Sequence, residues 1–231
     1  MTLAKFHAVM APFLRGEISA AEVEQLLGPS PSGTERLALY PRLVRRQWTG
    51  TIDHFFRALA RALELVAPGA FPAMRDAYLE AHPPASWEPN ENLRAFTPFV
   101  KSRAGIPPWA PEMADYAWSR FLAMHADVVS GDVGLERAIF VRHYTHDVVA
   151  TSLANESATG GASVPRLAPG TFVFARHVTR GHLVTLTPSV AALFALLRAA
   201  GETLPPLPDG LFAEDLDREL VALHDAGIVA P

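Results

Sequence analysis

TFVFARHVTRGHLVTLTPSVAALFALLRAAGETL, residues Thr171 to Leu204, reads as strand, tight turn, strand, helix. Thr171–His177 is dense in β-branched and aromatic residues, VTRG (178–181) makes a hairpin turn, and His182–Leu186 returns. Thr187 is a good N-cap and Pro188 a good first helical residue. Val190, Leu193, Phe194 and Leu197 then form the expected buried stripe, and Gly201 stands where a terminating glycine belongs. A proline-rich turn leads to LFAEDLDRELVALHDAG (211–227), the last helix, with Leu216, Leu220 and Leu223 inward and Gly227 as its stop. IVAP follows as a short final strand.

Upstream the chain reads as helices cut short by its 20 prolines. Leu3, Phe6, Met10, Phe13 and Leu14 share a stripe. Ser19 and Glu22 have capping-box spacing, with Gly28 at the helix end. In ERLALYPRLVRRQW (35–48), Leu37, Tyr40, Val44 and Trp48 share a face, and Arg42, Arg45 and Arg46 lie largely off it. Pro41 either kinks this helix or marks its start. IDHFFRALARALELV (52–66) is the clearest amphipathic helix, and Pro111 opens another. The glycine- and serine-rich stretch NESATGGASVPRLAPG (155–170) is the expected linker. The expected fold class is therefore α+β: a helical domain at 1–154, a linker at 155–170, and a winged-helix-like domain with a small antiparallel sheet at 171–231.

Composition removes whole classes of chemistry. The 231 residues include no cysteine, which excludes disulfides, zinc-thiolate sites, iron–sulfur clusters and cysteine nucleophiles. No apolar run reaches the length of a membrane span, and the N-terminus lacks the pattern of a signal peptide, so a cytoplasmic location is expected. Neither a nucleophile elbow nor a P-loop nor a dinucleotide fingerprint occurs. RHYTHDV (142–148) is the one tempting cluster. His143, His146 and Asp147 are metal-ligand types, and Tyr144 is a candidate acid, but the spacing is not that of a zincin helix. Histidines at a domain junction are the plainer account, and no metal site is assigned.

A hairpin followed by helices also suits a winged-helix DNA-binding regulator. Charge speaks against it: the net charge is −4, and the last helix sets Glu214, Asp215, Asp217, Glu219 and Asp225 against Arg218 alone. Such a module can instead use a sheet edge, whose unpaired backbone groups accept an extended peptide as a further strand. The expected edge is Phe172, Val173, Phe174, Ala175 and Arg176, with Leu216 and Leu220 of the last helix gripping the peptide. The helical part covering that edge is the competing possibility.

Two resemblances sharpen this. LVTLTPSVAALFALLRAAGETL followed by LDRELVALHDAGIV is similar to the PqqD-like module that captures leader peptides in bacterial peptide-modification pathways. The N-terminal half resembles the family that includes the HvfC-like and MbnC-like proteins, whose members carry a DNA-binding-domain label, and this resemblance spans most of the chain. The matching residues are Arg36 and Tyr40 in RLALYPRLV, then FFRALARALE, HPPASW, FTPFV, and PEMADYAW before FVRHYTHDV. The resemblance implies a non-catalytic subunit rather than an enzyme on its own. It would hold the leader of a ribosomally made precursor peptide and present its cysteine-containing core to an iron-dependent TIM-barrel oxidase, as in methanobactin-like pathways. No cofactor is then expected in this chain, and iron is expected in the partner. Trp87, Arg142, His143, Tyr144 and His146 are the expected contacts to partner or substrate. A regulator of transcription and a stand-alone hydrolase with a metal on His143, His146 and Asp147 remain the alternatives.

Overall fold

The computed structural model describes residues 2–83, 89–125, 139–157, 161–199 and 204–229. The elements in chain order begin with α1 (Leu3–Leu14), α2 (Ala20–Leu27), α3 (Thr34–Leu37), α4 (Tyr40–Phe55), α5 (Arg57–Val66) and α6 (Ala70–Ala81). After them come α7 (Pro89–Leu93), α8 (Phe96–Lys101), α9 (Ala110–His125), β1 (Phe140–His146) and α10 (Val148–Glu156). β2 (Leu167–Arg176), β3 (Leu183–Leu186), α11 (Val190–Ala199) and α12 (Ala213–Asp225) complete the order. The fold is mixed α+β, mostly helical, with a three-stranded antiparallel sheet. Among the described residues no helix is long and apolar enough to cross a membrane.

The chain divides into two compact units: Met1–Pro111 with Ser152–Val164, and Glu112–Thr151 with Pro165–Pro231. This differs from the expected break at 155–170. Asn155 is buried, and its side-chain amide donates to the carbonyls of Ala58 and Ser163 at 3.3 and 2.9 Å while its Oδ1 accepts from the Ser163 N–H at 2.9 Å. Arg61 donates to the carbonyls of Asn155 and Ser157 at 2.7 and 2.9 Å. Part of the expected linker is thus stitched to α5, and its last residues, from Leu167, are already strand.

In the helical unit the capping box forms as its spacing predicts: the Glu22 N–H donates to Ser19 Oγ, and the Ser19 N–H to the Glu22 carboxylate. Val9, Phe13, Ala20, Val23 and Leu37 make one small core, and Leu3, expected inside, is exposed. Pro41 falls in the first turn of α4, where a missing N–H costs nothing. The helix expected over 52–66 is in fact two pieces. Phe56 leaves helical geometry (φ −105°, ψ 29°), and its ring stacks on Phe96 with centroids 4.2 Å apart. Ile52, Phe56, Leu59, Leu63 and Tyr78 are buried around them, as the periodicity demands.

Gly50 lies inside α4, and a Cβ there would meet nothing within 4 Å. Glycine in a helix interior loses more backbone entropy on folding than alanine does. Gly50→Ala should therefore raise stability by about 0.5–1 kcal/mol. Denaturant titration checks it, and an unchanged or lowered midpoint would show that this turn of α4 is not ordinary helix.

In the second unit the strand order is β1-β2-β3, so β2 is central. Phe140 pairs with Phe174 and Arg142 with Phe172 on one side, and Val173 with Leu186 and Ala175 with Val184 on the other. One sheet face, through Val173, Ala175, Val184 and Leu186, packs on Ala195, Leu196, Leu216 and Leu223 of α11 and α12. The opposite face turns Phe174 to Tyr116 of α9, edge on, with centroids 5.6 Å apart.

Two details at the helices differ from the sequence expectation. Ser189, not Thr187, caps α11, its Oγ accepting the Ala192 N–H at 2.9 Å. The buried face of α11 is Ala192, Ala195 and Leu196, while Val190 and Leu197 are exposed. Gly201 lies outside the described residues, and Ile228 and Val229 form a bend rather than a strand.

Candidate functional site

The cluster RHYTHDV is a strand, and a strand turns alternate side chains to opposite faces. The metal-ligand types are therefore not gathered. His143 Nδ1 meets Thr171 Oγ1 at 3.0 Å, across the β1–β2 pair. Arg142 and Tyr144 point the other way, to α9. Asp147 accepts the Arg166 N–H at 2.5 Å and the Thr151 hydroxyl at 3.3 Å. Among the described residues no group of three His, Asp or Glu side chains is placed to hold a metal.

What receives β1 is a pair of carboxylates one turn apart on α9, a feature the sequence reading passed over. Asp115 Oδ2 accepts the Tyr144 hydroxyl at 2.9 Å and Arg142 Nε at 3.1 Å. Glu112 accepts the Thr145 hydroxyl at 2.6 Å, the Thr145 N–H at 3.1 Å, the His146 N–H at 3.1 Å, and lies 3.2 Å from His146 Nδ1. The register shift between Tyr144 and His146 brings two successive amides to one carboxylate. Burial, and then the Asp115 charge, push the Tyr144 phenol well above its usual pKa. The Tyr144 hydroxyl is taken up as a hydrogen-bond donor to Asp115. Arg142, Tyr144 and His146 are thus bound up in holding β1 to α9. Trp87, the other expected contact, lies outside the described residues.

The sheet edges follow from register and phase. The His177 N–H donates to the His182 carbonyl at 2.7 Å. In an antiparallel pair, bonded and non-bonded pairs alternate. Ala175/Val184 and Val173/Leu186 therefore exchange backbone bonds, while Phe172 and Phe174 turn theirs to β1. The expected peptide-binding edge at Phe172, Val173, Phe174, Ala175 and Arg176 is corrected accordingly: it lies on the central strand, with the backbones of Val173 and Ala175 turned to β3 and those of Phe172 and Phe174 to β1. The cause is β1, which arrives from before the expected linker. Leu216 is corrected with it, because at 2% exposure it belongs to the core, and Leu220 packs partly against the same cluster.

The outward backbone groups are those of Leu183 and Thr185 on β3, and among the described residues none of them has a hydrogen-bond partner. α12 packs under the sheet face, and its Glu219 and the Gly227 that follows it are tied to the chain on either side of β3. Ser189, just past β3, donates to Glu219 at 2.8 Å, and Val178, in the hairpin turn before β3, donates its N–H to the Gly227 carbonyl at 2.8 Å. Phe212 and Val221 of this stretch are exposed. On β1 the corresponding outer side is partly closed by Glu112, which takes the Thr145 and His146 amides. The candidate site is therefore the outer edge of β3, with the exposed Phe212 and Val221 on the unit's last helix. It can form main-chain hydrogen bonds to an extended segment and read its side chains against the helix.

No protein-family model matches this chain, and no curated protein matches it.

Proposed function

We propose that the chain is a non-catalytic partner subunit in the biosynthesis of a ribosomally made, post-translationally modified peptide of methanobactin-like type. Its sheet unit acts as a winged-helix-like leader-recognition domain. The leader adds to the sheet as a fourth strand along Leu183–Leu186, and the cysteine-bearing core is presented to an iron-dependent TIM-barrel oxidase. The cysteines to be modified belong to the peptide, since this chain has none. Iron and the redox chemistry belong to the partner, and all of it takes place in the cytoplasm. The observation that carries this is the open edge at Leu183 and Thr185 of β3. The resemblance of the last sixty or so residues to PqqD-like modules supplies the kind of ligand, and the one carried by the N-terminal half supplies the kind of partner. The acidity of α12 argues against duplex DNA at the same place.

Thr185→Pro tests it. The Thr185 N–H points away from β2, so proline there breaks no internal ladder bond, and an edge position tolerates it. It removes the Thr185 N–H donor that an added strand would accept from, and it crowds that strand's approach. The variant should fold normally and bind the proposed cysteine-bearing precursor peptide about fivefold more weakly, one main-chain bond being worth ~1 kcal/mol. Unchanged affinity in a folded Thr185→Pro variant, or a steeply salt-dependent shift of duplex DNA, would contradict the proposal.

A further inference from the structure

We infer that the start of α4, with α3 before it, is the face on which the catalytic subunit docks. This rests on the proposed role as a partner subunit, and it assigns that role a surface separate from the peptide edge. Leu39, Tyr40 and Leu43 are 48%, 49% and 56% exposed. They are large apolar side chains gathered within two turns, not scattered singly. The opposite side of the same helix carries Trp48 and Ile52, both buried, so α4 has one apolar face in the core and a second one left open. Leu39 and Leu43 form one i, i+4 ridge, and Arg42 and Arg46 form the neighbouring one. Arg36 stands just ahead, in α3. Residues 34–46 hold four arginines and one glutamate in a chain of net charge −4. Arg45 reaches Glu80 at 3.8 Å. Arg36, Arg42 and Arg46 have no carboxylate partner among the described residues.

Tyrosine and arginine around an apolar centre are the composition of binding hot spots. The charge selects the occupant. A second copy meeting this face across a two-fold axis would set arginine against arginine, which disfavours a symmetric dimer. A lipid surface is a poor match, because three apolar side chains give a far shorter apolar face than an interfacial helix uses. What fits is a protein surface with an apolar centre and a carboxylate rim, approached in a one-to-one complex.

The test is co-expression of the full chain with a TIM-barrel iron oxidase of the proposed kind, followed by affinity purification and a binding titration. The variants are Leu43→Glu with Arg46→Glu, both on the open face, and Thr185→Pro as the comparison. Retained helicity and Trp48 fluorescence show that the double variant folds. The expected result is at least about tenfold weaker binding of the oxidase by the double variant. The same variant should bind the precursor peptide unchanged, and Thr185→Pro should show the reverse pattern. An oxidase complex that survives the double substitution overturns the docking face and leaves the partner-subunit role standing. Failure of the unaltered chain to bind the oxidase overturns both. A dimer of this chain alone, or sedimentation with anionic vesicles, that is lost in the double variant would assign the face to another occupant and overturn the inference.

Discussion

Gly227→Ala should cost the sheet unit about 2–4 kcal/mol, combining a left-handed backbone penalty with overpacking. Gly227 sits at φ +68°, and a Cβ there would lie 2.4 Å from Cε1 and Nε2 of the His177 imidazole. The position cannot easily relax, because it closes α12. The Ile228 N–H reaches back to the Leu223 carbonyl, the Gly227 N–H to that of His224, and Leu223 and Ile228 are both in the core. The Gly227 carbonyl also receives the Val178 N–H, which holds the hairpin turn. The ring it touches is fixed too, since His177 Nδ1 accepts the N–H groups of Thr179 and Arg180, each at 3.2 Å. Denaturant unfolding gives the loss. Adding His177→Ala should recover the steric part and leave the left-handed part of about 1–2 kcal/mol. Strictly additive single effects would show that the ring and the glycine do not meet.

Asp115→Ala should be the second large loss, about 2–4 kcal/mol, because it strands a buried hydroxyl and unpairs a guanidinium. The Tyr144 phenol is 2% exposed and donates to Asp115, with Arg142 on the same oxygen. Asp115→Asn keeps an acceptor and should cost clearly less. Tyr144→Phe removes the donor along with its need for a partner, so Asp115→Ala should be milder in a Tyr144→Phe background. The raised Tyr144 pKa sets the pH dependence. The folded state keeps this proton where the unfolded chain releases it, so its contribution to stability is full below about pH 10 and declines as pH rises above that value. Phenolate absorbance should show one tyrosine that ionises only on unfolding. Equal losses from Asp115→Ala and Asp115→Asn would contradict the role assigned to this oxygen.

Local signals carried much of the fold. The Ser19–Glu22 box, Pro41 as a helix start, the hairpin around Arg180–Gly181 and the Gly227 stop all depend on neighbours within a few residues, and each is where its chemistry puts it. What a single sequence hides is long-range pairing. Phe140–His146 has the alternation of a strand, but its polar members are satisfied by Glu112 and Asp115, about thirty residues earlier, so the segment looks like exposed histidines. A signal existed: two carboxylates at i, i+3 on a helix with so apolar a surround need donors from elsewhere. Missing β1 made β2 look like an edge, and the open edge fell one strand away from where it was expected. The same limit applied to Asn155, whose polar side chain suggests a linker until its hydrogen bonds to Ala58 and Ser163 are in view.

The most direct measurement is residue-resolved amide hydrogen exchange across β3, alone and with the precursor peptide at saturation. In the free chain the Val184 and Leu186 amides should exchange slowly and those of Leu183 and Thr185 fast, and on adding the peptide all of them should become slow. If Leu183 and Thr185 are already as protected as their neighbours, or stay fast with the peptide bound, no strand is added at this edge and the peptide-delivery role fails.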